Sequence, residues 1–192
     1  GRAVRATDTP LRAALVAGLL ALLAYLFGPP GGDAAAHLYQ TQVWREHGWQ
    51  FWDNLWYSGR YSQVNYSLTY YPLSALLGTV VVVPASAATA AGAFSRLLQL
   101  HWPHHGRGAS YAAAGGMTLG VLAGTYPFLL GFAVALSCLL AVVQRRLWTA
   151  AVLLLLTTLS HPLAMVFLVV VLAAVAVVTP GWWRDGPLRW LA

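Results

Sequence analysis

The chain has 192 residues, of which 59% are hydrophobic and 8% charged, and its mean hydropathy is +0.63. That balance excludes an ordinary soluble domain and points to an all-α, polytopic transmembrane helical bundle in contact with membrane lipids. The net charge of +6 comes from eleven arginines and no lysine, so it reads as membrane topology and a GC-rich genome, with no nucleic acid as partner.

The first apolar run, Leu11 to Phe27, follows Arg2 and Arg5 and carries Arg12 at its start. This is the layout of a signal peptide, but no small-residue cleavage site follows, so the run reads as a retained first helix near 11–28. Residues 29–72 then form a long polar and aromatic loop carrying Asp33, Glu46 and Asp53, three of the five acidic residues. Further apolar runs near 71–99, 109–124, 126–144 and 147–179 predict about five spans in all. The second run contains Pro84, which could kink one tilted helix or separate two short ones, the single crossing being favoured by the arginine positions, and Ser160-His161-Pro162 lies in the middle of the last.

With five crossings, Arg2, Arg5, Arg12, Arg96, Arg107, Arg145 and Arg146 fall on one side and the 29–72 loop on the other. The positive-inside tendency then places the N-terminus in the cytoplasm and the loop outside, in a multi-pass bacterial plasma-membrane protein. Small-residue stretches at 85–93 and 112–116 predict close helix packing, within the chain or against partner transmembrane helices. Cys138, the lone cysteine, reads as a small buried hydrophobe. Residues 1–192 form a single transmembrane domain, expected to be all or the N-terminal part of a larger protein.

Asp33 follows Pro29-Pro30-Gly31-Gly32, where the backbone can turn sharply at the membrane boundary. An acid there suits proton abstraction from a hydroxyl, although Asp after Gly is also a common helix N-cap. His37, a candidate substrate-binding residue, is one helical turn further on, so the two could ligate a divalent cation or form a hydrogen-bonded pair; two ligands do not define a metal site, and a His bonded to its neighbours at the interface is the favoured alternative.

Trp52, Asp53, Trp56, Tyr57, Arg60 and Tyr61 recur at spacings of three and four, which predicts a short amphipathic helix with one aromatic, charged face. Such a face suits a sugar and its phosphate, or anchors the chain at the membrane interface. His161, beside Pro162 in an apolar run, either contacts substrate or satisfies backbone freed at the helix break. The cluster from His101 to His105 lacks a companion Cys, Asp or Glu and reads as a connecting loop. No Walker loop, dinucleotide glycine motif or Cys-x-x-Cys pair is present.

Gly31-Gly32-Asp33 opening a Trp/Tyr-rich first loop, Tyr70-Tyr71-Pro72 at the second apolar run, Tyr126-Pro127-Phe128 and Ser160-His161-Pro162 together resemble the front half of the GT-C membrane glycosyltransferases, which use polyprenyl-phosphate sugars. The resemblance implies that Asp33 is the catalytic base, or a metal ligand in metal-using members. It implies a polyprenyl-phosphate-linked sugar as donor, a glycan or lipid acceptor, and no certain cofactor, with a divalent cation used by some members. Family members usually have more spans than this chain can supply. The rival expectations are a non-catalytic transmembrane subunit of a membrane assembly and a lipid or small-molecule transporter. Scarce intramembrane charge weighs against ion or proton coupling in the latter.

Overall fold

The structure is a computed structural model that describes the backbone of residues 8–102 and 106–178, with side chains over that range except at 8, 55–57, 61, 63 and 64. The first apolar run forms α1 (Asp8–Phe27). The loop contains α2 (Ala34–His47), β1 (Trp52–Leu55), the single turn α3 (Trp56–Gly59), β2 (Tyr61–Val64) and α4 (Tyr70–Leu77). The chain then runs through α5 (Thr79–His101), α6 (Gly106–Ala123), α7 (Tyr126–Val143), α8 (Leu147–Ser160) and α9 (Pro162–Val178). Thr9–Phe27 of α1, all of α5 and all of α7 are long and apolar enough to cross a membrane, while α8 and α9 are apolar but shorter.

Small residues let these helices approach closely. Gly18 faces Ala88 and the Pro84 carbonyl, and Gly92 faces Ala14 and the Pro10 carbonyl, so α1 and α5 run antiparallel. Ala13, Ala17 and Ala21 on α1 and Ala87, Ala90 and Ala91 on α5 are buried. Lipid supplies no hydrophobic drive between helices, so close contact between small side chains has to hold this pair. On α7, Cys138 is buried as expected and packs with Ala135, Ala141, Ala150 and Leu168, drawing α8 and α9 onto α7.

The two long apolar runs are divided differently from the sequence expectation. The 71–99 run continues through Pro84 within α5 and breaks instead at Gly78, whose φ of 87° lets its N–H close on Ser74 while its carbonyl starts α5. The 147–179 run is two helices, because His161 precedes a proline and is pushed into extended backbone, at φ −160° and ψ 124°. Pro162 then opens α9 at a position where its missing N–H leaves no bond unmade.

The expected amphipathic helix over Trp52, Asp53, Trp56, Tyr57, Arg60 and Tyr61 is instead an antiparallel hairpin, with Trp52 opposite Val64 and Asp53 opposite Gln63. Aromatic side chains favour strands. Ser58 and Gly59, at φ 57° and 85°, occupy left-handed backbone that a continuous helix cannot contain. The six residues therefore share no helical face.

Helix order and packing segregate the charges. Arg12, Arg96, Arg107, Arg145 and Arg146 lie toward one end of the bundle. Asp33, Glu46 and Asp53, together with Arg45 and Arg60, lie at the other, where the loop sits.

Candidate functional site

Asp33 is placed by a contact between two pieces of backbone. Gly31 lies so close to the turn between α6 and α7 that a Cβ there would overlap the Ala123 carbonyl and the Gly124 nitrogen. Gly124, at φ 82°, abuts Ala34 in the same way, and the Asp33 N–H points at the Ala123 carbonyl at 3.4 Å. Only glycine permits this approach. Gly32 faces open space, so within Gly31-Gly32-Asp33 the first glycine makes the interlock. Asp33 occupies the N-cap position of α2, but its side chain makes no capping hydrogen bond. Its exposed carboxylate lines a cavity instead.

From Asp33, α2 turns one face inward: Ala34, His37, Gln40 and Thr41 are buried. His37, 5% exposed, has its Nδ1 3.1 Å from the Tyr71 hydroxyl on α4. The rings of Tyr66, Tyr70, Tyr71 and Tyr126 surround the imidazole at 6.1–6.3 Å. Burial pulls its pKa down to about 4, against the upward pull of the Asp33 carboxylate and with a smaller downward push from His161. His37 is therefore neutral at physiological pH. Further along α2, the Arg45 guanidinium donates to the carbonyls of Ser74 and Ala75, near the C-terminus of α4, and holds the two helices together.

The opposite wall comes from the α8–α9 break. Leu68 N–H donates to the Leu159 carbonyl at 2.8 Å, and Thr69 Oγ1 lies 2.7 Å from Ser160 Oγ, which ties the end of the first loop to this break. His161 Nδ1 accepts the Leu163 N–H at 3.1 Å, so the imidazole caps α9. The backbone-satisfying role expected of His161 is thus real, but its partner is a helix N–H rather than a freed carbonyl. The ring also packs edge-on against Tyr66 and Phe128, with centroids 5.1 and 5.3 Å away. Gly131 makes room for it, since a Cβ there would come within 2.9 Å of His161 Cβ.

Asp33, His37, Tyr66, Thr125, Phe128, His161 and Leu163 line one cavity of about 390 Å³. Of the residues expected to bind substrate, His37 and His161 join Asp33 there. Trp52 and Arg60 are exposed, Asp53 accepts a hydrogen bond from the Tyr39 hydroxyl, and none of the three lines the cavity. The side chains of Trp56, Tyr57 and Tyr61, like residues 103–105, lie outside the described residues.

Tyr66, Thr125 and Phe128 complete the walls. Phe128 follows the Tyr126-Pro127 pair visible in sequence, whereas nothing separates Tyr66 from its many aromatic neighbours. Among the described residues, no three His, Cys, Asp or Glu side chains gather closely enough to hold a metal ion. No protein-family model, curated protein or solved structure matches this chain.

Proposed function

We propose that the cavity is the substrate site of a membrane glycosyltransferase that moves a sugar from a polyprenyl-phosphate donor to a cell-envelope glycan or lipid acceptor. The observation that carries this reading is the placement of an uncapped carboxylate, Asp33, at the rim of a cavity lined by two imidazoles and two aromatic rings. That cavity lies at one end of an apolar bundle, where a lipid carrier can present its head group from the membrane. The Gly31-Gly32-Asp33 and Ser160-His161-Pro162 motifs of the GT-C resemblance both border it.

In the proposed step, Asp33 takes the proton of the acceptor hydroxyl. The acceptor oxygen then bonds to the anomeric carbon as the bond from that carbon to the phosphate oxygen breaks, and polyprenyl phosphate leaves with the electron pair. Tyr66 and Phe128 offer apolar surface to a sugar ring, and His161 fixes the cavity wall by capping α9. The segregation of Arg12, Arg96, Arg107, Arg145 and Arg146 from the acidic loop supports an extracytoplasmic cavity.

A transfer assay with radiolabelled sugar on polyprenyl phosphate and membrane acceptor tests the reading. Asp33→Asn should reduce transfer at least about a hundredfold with membrane insertion unchanged. Undiminished transfer by that variant would end the assignment.

A further inference from the structure

The charge balance and hydrogen-bonding edges of the cavity narrow what it can hold. The sequence contains no lysine, and no arginine is among the described residues that line the cavity. Arg45 is spent on the carbonyls of α4. Among the described residues, the one formal charge on the lining is the Asp33 carboxylate. A phosphate or carboxylate placed there would meet a negative charge with no cationic side chain among the described lining residues to offset it.

The neutral groups point the same way. His161 Nδ1 accepts the Leu163 N–H, so the neutral ring carries its proton on Nε2, and that edge is left to donate. The Thr125 hydroxyl donates to the Gly120 carbonyl at 3.2 Å, which leaves its oxygen able to accept. Asp33 adds a strong acceptor. A hydroxyl group both donates and accepts, and so answers a lining of this kind, whereas an anionic oxygen only accepts. Tyr66 and Phe128, both edge-on to His161, supply the flat apolar surface that the C–H face of a sugar ring covers.

We infer that the cavity between Asp33 and His161 binds an uncharged, hydroxyl-rich sugar ring and rejects sugars carrying a carboxylate or phosphate on the ring. This rests on the reading of the cavity as a substrate site and specifies the substrate that the site selects. The carrier phosphate of a donor then lies outside the cavity, and Asp33 acts as a selectivity residue as well as a base.

Saturation-transfer NMR on the full chain in lipid nanodiscs, with methyl β-glucoside and methyl β-glucuronide as probes, tests it. The glucoside should bind and the glucuronide should bind at least about tenfold more weakly, and Asp33→Asn should raise glucuronide binding toward that of the glucoside. A gain of binding cannot come from misfolding. Tyr66→Ala, which removes a wall of the cavity, should weaken the glucoside signal. Equal binding of both probes by the unmodified chain, with both weakened by Tyr66→Ala, would overturn the selectivity and leave the substrate-site reading intact. Absence of binding by both probes, or glucoside binding indifferent to Tyr66→Ala, would overturn both.

Discussion

His37 and Tyr71, 34 positions apart in the sequence, meet at 3.1 Å between the imidazole Nδ1 and the phenolic oxygen. This contact joins α2 to α4 and fixes the ring that stands one turn after Asp33. Tyr71 is fully buried and His37 nearly so, so removing the Tyr71 hydroxyl leaves the His37 Nδ1 without this partner. Tyr71→Phe should therefore lower stability by about 1–2 kcal/mol, measured as a fall in melting temperature in detergent.

The pH dependence of stability follows from the same histidine. Its pKa is about 4 in the folded protein against 6.5 for the free side chain, so between these values the unfolded chain binds more protons. The contribution of neutral His37 should be fully present above pH 6.5 and lost as pH falls toward 4. Thermal unfolding across that window should show a steeper acid loss in the unmodified chain than in His37→Gln, which cannot titrate. Parallel pH profiles would contradict the assignment.

The interlock between Gly31 and the Ala123–Gly124 turn predicts a contrast between adjacent glycines. Gly31→Ala should destabilise by about 1–3 kcal/mol, because the new methyl group meets backbone that cannot yield. Gly124→Ala should do the same through its positive φ and its contact with Ala34. Gly32→Ala, facing open space, should stay within about 0.5 kcal/mol. Comparable losses at Gly31 and Gly32 would mean that the close approach does not hold the loop.

Much of the bundle and part of the site were legible in the sequence, for different reasons. Hydropathy located the apolar helices, and a glycine pair before an acid marked Asp33, because a sharp turn needs residues without side chains. His161 was visible as a polar group beside a proline in an apolar run, since that pairing breaks a helix. Spacing misled at Trp52 to Tyr61, where intervals of three and four also fit a hairpin whose direction is set by Ser58 and Gly59. Hydropathy likewise could not divide 147–179, because both helices are equally apolar and only the residue before Pro162 marks the break. Tyr66 and Thr125 reach the cavity through long-range contacts, Leu68 to Leu159 and Gly31 to Ala123, that leave no local pattern, whereas Phe128 is marked by the Tyr126-Pro127 pair before it.

Gly131 offers a check on the far wall. Its missing side chain accommodates His161 and Ala164, whose Cβ atoms lie 2.9 and 3.0 Å from where its own would be. Gly131→Val should push α9 away from α7 and lower stability by about 1–3 kcal/mol, read from the melting temperature. It should also weaken sugar binding, because His161 moves with the start of α9. A variant of unchanged stability and binding would contradict the packing of this corner.

Whether the Asp33–His161 cavity holds the donor sugar is tested most directly by locating that sugar on the chain. Photo-crosslinking with a polyprenyl-phosphate sugar bearing a diazirine on the sugar ring, followed by peptide mapping, reads that position. Labelling should fall in the segments that contain Tyr66 and Phe128 and be competed by unlabelled donor. Competed labelling that avoids both segments would place the sugar elsewhere and contradict the assignment of the Asp33–His161 cavity.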